Sequence, residues 1–221
     1  YLLHFILKMP EKKIVICLQV RIGSKRMFQK ALQKINEKTI LELCIERLKK
    51  IDDKIKIFVL TTKSPKERGI IKVCLKNQIP FFRGSYNNVL KRYNDFLKIY
   101  KFHNVIRATC DNLFINIKSA RLLIENHQKY KYDYSSNHHK NSSIGAGIDI
   151  FSKKTIKLIS TKKISNQEKE HINLYILNNL SKFKCNFVKA KSKVARKRLT
   201  LDNLKDYGII KRNYNFFKNK Y

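Results

Sequence analysis

Ile14-Val15-Ile16-Cys17-Leu18-Gln19, running on into Val20-Arg21-Ile22-Gly23-Ser24-Lys25-Arg26-Met27-Phe28-Gln29-Lys30, is the stretch that decides the fold. Its first six residues are a short, largely β-branched apolar run, the kind buried on both faces of a parallel sheet. A turn follows in which Arg21, Lys25, Arg26 and Lys30 surround Gly23 and Ser24. Glycine lets a backbone pass close to an anion, and serine adds a hydroxyl donor. Four cations around one such turn suit a triphosphate, although a plain basic surface loop has the same composition. Neither GxxxxGK[ST] nor GxGxxG occurs here, which excludes a Walker loop and a Rossmann fingerprint.

Outward from this stretch, six more runs read as strands, at 55–60, 79–82, 105–108, 132–135, 148–151 and 183–188. Helical period separates them. Leu41, Cys44, Ile45 and Leu48 share one helical face, and Val89, Leu90, Tyr93, Phe96, Leu97 and Tyr100 share another. The pattern predicts an α/β domain with a mostly parallel, Rossmann-like sheet flanked by helices. Its ligands belong beyond the carboxyl ends of the strands. Residues 135–147, polar and small, read as a loop or lid that includes His138 and His139.

The 221 residues, 43% of them hydrophobic, suit one domain with a full core, taken as residues 13–221 after an N-terminal extension of 1–12. The chain starts at Tyr1, and Met9 stands just before the first strand. No apolar run approaches the roughly 20 residues of a membrane span. The five cysteines are odd in number, widely separated and without a CxxC pair, which argues against a disulfide framework or a zinc site and for a reducing cytoplasm. Lys and Arg number 49 against 16 acids, a formal +33. That excess fits a polyanion-binding face. An A/T-rich coding sequence explains it better, since Lys, Asn, Ile, Phe and Tyr make up 110 of the 221 residues and Lys, more than three times as common as Arg, is spread along the chain instead of gathered on one element. Nonspecific, salt-sensitive polyanion binding is expected in both cases.

At the basic turn the sequence resembles the cytidylyltransferase family that includes spore coat polysaccharide biosynthesis protein F and, more distantly, the acylneuraminate and ketodeoxyoctonate cytidylyltransferases. The family opens with a strand and QARxGSxRLPGK, which Gln19, Arg21, Gly23, Ser24, Arg26 and Lys30 match in register, while Val20, Met27, Phe28 and Gln29 depart from it. Phe82-Arg83-Gly84-Ser85 and Val89-Leu90-Lys91-Arg92-Tyr93 resemble its FRGS and VLDRY. Arg107-Ala108-Thr109-Cys110-Asp111-Asn112-Leu113 is similar to RxTGDCPL, and Tyr132-Asp133-Tyr134-Ser135-Ser136-Asn137 to YDYVSN. Gly147 to Ser152 resembles a G-[LV]-x-[ED]-[IV]-F-S strand, Lys169-Glu170-His171 an REH triple, and Arg198-Leu199-Thr200-Leu201-Asp202 the RLTVD run.

The resemblance implies a nucleotide-diphospho-sugar transferase (GT-A-like) fold. It also implies transfer of CMP from CTP to a sugar or sugar acid, with release of pyrophosphate, in surface polysaccharide or glycan synthesis. Gln19, Arg21, Gly23, Ser24, Arg26, Lys30, Arg83, Gly84 and Arg107 would then bind the nucleotide. Arg92, Asn137, Asp149 and His171 would border the acceptor, Asp111 and Asp202 would hold Mg²⁺, and Arg21, Arg26, Lys30 and Asp111 would carry catalysis. Asp111 or a metal-bound water would take the hydroxyl proton, and a homodimer is compatible. Read without the resemblance, Asp111 also suits a helix cap, Gly84 a plain turn and Arg92 a solvated helix position. Asp149 suits an exposed strand and His171 a structural helix residue. Two other functions fit the same chain: a catalytically weakened nucleotide-binding relative, and a basic nucleic-acid-binding module.

Overall fold

The first strand, β1 (Lys12–Gln19), runs through the interior of a seven-stranded sheet. Residues 12–23, 26–138, 143–188 and 198–220 are described by the computed structural model. The N-terminal extension up to residue 11, Ser24, Lys25 and His139 therefore lie outside the described residues. Alternate side chains of β1 feed two separate cores. Ile14, Ile16 and Leu18 join one face, and Val15 and Cys17 the other. Both faces are covered, which is why the run is apolar without a break.

From β1 the chain forms a two-residue hairpin, β2 (Lys34–Ile35) and β3 (Lys38–Thr39), turned by Asn36 and Glu37 at φ of 47° and 65°. Helix α1 (Ile40–Lys49) starts at once, capped reciprocally by Thr39 and Glu42. The next elements are β4 (Ile57–Thr62), α2 (Arg68–Lys76), β5 (Phe81–Gly84) and α3 (Val89–Ile99). They place β4 and β5 on one side of β1, both parallel to it. The chain then returns through β6 (Phe102–Thr109) to the other side of β1, again parallel. This reversal opens a cleft beyond the carboxyl ends of β1 and β6. Gln19 and Thr109 are paired at its floor.

After α4 (Ile117–Tyr130), the strands β7 (Tyr134–Ser136), β8 (Asp149–Ser152) and β9 (Cys185–Phe187) complete the order β5-β4-β1-β6-β8-β7-β9. Only β8 runs against its neighbours. All seven expected strands are present, their ends shifted by no more than three residues. Leu41, Cys44, Ile45 and Leu48 are buried on α1, as are Val89, Leu90, Tyr93, Phe96 and Leu97 on α3. Beyond β8 come α5 (Lys153–Ser160), α6 (Asn166–Glu170) and α7 (Leu174–Leu177). The helix expected around His171 is thus broken there. His171 ends α6, while Ile172 and Ile176 still pack inward. Helices α8 (Leu204–Arg212) and α9 (Tyr214–Lys220) end the described chain, and among the described residues no helix is long and apolar enough to cross a membrane.

One buried polar group gives the fold a pH dependence. His127 on α4 is 1% exposed and lies between Ser135 Oγ, 2.8 Å from Nδ1, and Asn104 Oδ1, 3.1 Å from Nε2. The Asn104 amide also donates to Lys13 O, which fixes that oxygen toward His127 and makes Nε2 the protonated nitrogen. Burial pulls the imidazole pKa down to about 4. The unfolded chain, near 6.5, binds its proton first, so the folded state loses stability as pH falls from about 6.5 to 4. The full effect is on the order of a few kcal/mol. Urea unfolding of the wild type is expected to show this slope, and His127→Gln to flatten it between pH 6.5 and 4.

Candidate active site

Gln19, Arg21 and Gly23 leave the end of β1 and line a cavity of about 550 Å³. Arg26, Lys30, Tyr86, Arg107, Asp111, Glu170 and His171 complete much of its wall. A second cavity of about 240 Å³ lies beside it, lined by Asn112, His138, Gly145, Gly147 and Thr200. Arg107, Thr109 and Asp111 border both. The two spaces therefore meet at the carboxyl end of β6, and among the described residues Asp111 is the one carboxylate common to their linings.

The cations of the large cavity are each matched to an acid. Lys30 begins a 3-10 turn (Lys30–Leu32), and its side chain is only 16% exposed. Its Nζ donates to Leu201 O at 2.9 Å and lies 3.5 Å from Asp111 Oδ2 and 4.0 Å from Asp202 Oδ1. Arg26 reaches Asp202 at 3.3 Å, and Arg198 pairs with the same carboxylate. Arg21 pairs with Glu170 at 3.0 Å, and its guanidinium lies 5.6 Å from the centre of the Tyr86 ring. A polyanion entering here exchanges with internal carboxylates instead of meeting bare cations.

Asp111 and Asp202 are 91 positions apart and converge because the 198–202 strap is bonded across the cleft. Leu201 N donates to Asp111 O at 2.9 Å, Thr200 bridges Asn112, and Arg198 bridges Ile144. Gly145, at φ +92°, lies against this strap, where a Cβ would sit 2.8 Å from Thr200 N. Only glycine takes both that conformation and that approach.

Arg107 crosses between the cavities. It donates to Gln19 Oε1 at 3.2 Å and to Asp149 Oδ2 at 3.0 Å. Asp149 is 1% exposed, also accepts from Tyr134 OH at 2.7 Å, and has His138 Nε2 at 3.8 Å. Burial opposes its charge, but His138, Arg107 and the Tyr134 hydroxyl outweigh that and hold its pKa below the usual carboxylate value. For Arg107, burial is likewise outweighed, by Asp149 above all, so its pKa is raised.

Of the residues expected at the site, Gln19, Arg21, Gly23, Arg26, Lys30, Arg107, Asp111 and His171 share the large cavity, with Asp202 bound behind Lys30 and Arg26. The others lie elsewhere. Asp149 is not exposed and lines neither cavity, because it is held behind Arg107 and His138 in the middle of an antiparallel triplet. Asn137 is buried, donating to Ser119 Oγ and accepting from Ile148 N. Arg83 donates to the carbonyls of Thr62, Lys63 and Ser64. Arg92 is fully buried and bonded to the carbonyls of Ser85 and Tyr86, so it is neither solvated nor free to face a substrate anion. Gly84 lies under its side chain. Glu170 and Tyr86 were not expected at the site. Both adjoin quoted motifs, Glu170 inside Lys169-Glu170-His171 and Tyr86 one residue beyond Phe82-Arg83-Gly84-Ser85.

The sequence model of the cytidylyltransferase family matches residues 14–216. The chain is 32% identical over 199 residues to an uncharacterized protein of Methanocaldococcus jannaschii, covering 89% of this chain and 81% of that one. It is 26% identical over 208 residues to the spore coat polysaccharide biosynthesis protein SpsF of Bacillus subtilis, covering 91% and 86%. A solved cytidylyltransferase from Leptospira borgpetersenii superposes with a TM-score of 0.83 at 26% identity, over 95% of this chain and 98% of that one.

Proposed function

The chain belongs to the cytidylyltransferase family, and from that membership we propose that it transfers CMP from CTP to a sugar or sugar acid, releasing pyrophosphate for surface-glycan synthesis. The observation that carries the reading is the meeting of two cavities at Arg107, Thr109 and Asp111. The larger one, with Arg21, Arg26 and Lys30, suits a triphosphate. The smaller, with the Asn112 amide, the Thr200 hydroxyl and the His138 imidazole, offers hydrogen-bonding groups to an acceptor sugar.

Asp111 and Asp202 suit a hard divalent cation such as Mg²⁺, because one ammonium already lies within 4.0 Å of both carboxylates. Among the described residues no third His, Cys, Asp or Glu joins them. The pair would therefore share the ion with nucleotide phosphates, and bound there it would neutralise phosphate charge. Lys30, Arg26 and Arg21 hold the β- and γ-phosphates and stabilise the charge growing on the leaving pyrophosphate. The acceptor hydroxyl, placed from the smaller cavity, bonds to the α-phosphorus as the bond from that phosphorus to the bridging oxygen breaks. Its proton passes to the Asp111 carboxylate, which faces both spaces.

Pyrophosphate release from each of the four nucleoside triphosphates, with Mg²⁺ and a panel of sugars and nonulosonic acids, tests this. Release with CTP and one acceptor is the expected result. A protein that binds no CTP in moderate salt, with or without Mg²⁺, would overturn it. Polyanion binding that simply collapses with salt would then favour the basic nucleic-acid module.

A further inference from the structure

Two charged side chains that the proposed chemistry does not use are buried beneath the walls of the large cavity. Glu67, 1% exposed, ends a 3-10 turn (Pro65–Glu67) after β4 and has no ion-pair partner among the described residues. One of its oxygens accepts from Ile22 N at 3.1 Å, and the other from the Thr62 hydroxyl at 2.7 Å. Arg92, 0% exposed on α3, donates to Ser85 O through Nε and Nη2 at 3.0 and 2.8 Å, and to Tyr86 O at 3.4 Å. Its Nη1 has no hydrogen-bond partner among the described residues, and burial lowers its pKa.

Burying a charge without a close ion pair is costly, and each of these two is directed at loop backbone. Glu67 fixes the turn that carries Gly23. Arg92 fixes the turn that carries Tyr86, and Gly84 leaves room for it, since a Cβ there would sit 2.6 Å from Arg92 Cγ. The two turns meet where the Tyr86 hydroxyl lies 2.8 Å from the position of a Cβ on Gly23. Tyr86 is 45% exposed, lines the cavity and covers Arg21.

We propose that Glu67 and Arg92 are positioning residues that set the width of the nucleotide cleft, acting through the contact of Tyr86 with Gly23. The assignment rests on the cytidyl-transfer reading above. Lysine in place of Arg92 keeps the charge but not the planar fork that spans two carbonyls. Glutamine in place of Glu67 keeps both bonds, because its oxygen accepts from Ile22 and its amide donates to the Thr62 hydroxyl, which can turn.

The test combines nucleotide kinetics with amide exchange of the nucleotide-free protein. Arg92→Lys is expected to raise KM for CTP about tenfold with kcat within about threefold, and to speed exchange at residues 85–88. Glu67→Gln is expected to match the wild type, and Glu67→Ala to speed exchange at Ile22. Gly23→Ala, away from the core, is expected to raise KM about tenfold, and Tyr86→Phe in the same chain to return it to within about threefold of Tyr86→Phe alone. A folded Arg92→Lys protein with wild-type KM and exchange would overturn the proposal, as would a Gly23→Ala defect that Tyr86→Phe leaves in place. A wild type that is silent with CTP sinks the cytidyl-transfer reading instead, and the exchange measurement needs no nucleotide.

Discussion

Asp111→Asn is expected to lower kcat by roughly 10³-fold or more while leaving thermal unfolding almost unchanged, as for a carboxylate used in the transition state. The two halves of this residue have different tasks. Its carbonyl holds Leu201 N and so ties down the 198–202 strap, which the substitution preserves. Its side chain, 29% exposed, touches Lys30 at 3.5 Å and little else, so the amide leaves no buried charge unpaired. Metal-free CTP binding is expected to hold or tighten, since Lys30 loses one competing carboxylate. Single-turnover kinetics beside equilibrium CTP binding checks both parts. Wild-type turnover would remove Asp111 from the chemistry, and a large fall in melting temperature would make it structural.

Asp149→Ala is expected to produce the largest loss of stability, about 3–5 kcal/mol, because it strands the Arg107 guanidinium in the interior. For a chain of this size that lowers the melting temperature by roughly 6–20 °C. Tyr134 also loses the acceptor of its 2.7 Å hydrogen bond. Arg107→Met combined with Asp149→Leu is expected to recover most of the stability but none of the activity, since Arg107 borders both cavities. The pair also sets an acid limit. Asp149 is held below its unfolded pKa, so its stabilisation is complete above about pH 4 and is lost as pH falls through the lower folded value. Urea unfolding between pH 2 and 5 checks this, and Asp149→Ala is expected to remove that part of the slope. A variant as stable as the wild type would show that Arg107 does not need its partner.

The sheet was legible because its central strand, buried on both faces, leaves an unbroken apolar run at 14–18, while the other strands show as shorter runs rich in β-branched and aromatic residues between helical segments. The basic turn was legible because its cations are close in sequence. The pairing of Asp111 with Asp202 was not, because it is made by backbone bonds between segments far apart, and only resemblance to a family indicated it. Arg92 had a visible signal that was passed over. It lies one position before Tyr93 and three after Val89, inside the stripe of α3 that packs on the sheet, so helical period alone places it indoors. Asp149 gave no such warning, since a four-residue strand cannot announce that neighbours will cover both of its sides. Glu67 and Tyr86 sit in short turns with no period to read.

The strap that ends at Asp202 bears on the order in which the protein is made. Lys30 and Asp111 leave the ribosome early, and the sheet around them can begin to fold as the nascent chain lengthens. The carbonyl that holds Lys30 and the second carboxylate come from Leu201 and Asp202, far later in translation. A chain halted before those codons would carry most of its core and an unfinished cleft, with Lys30 lacking the carbonyl and the second carboxylate that hold it.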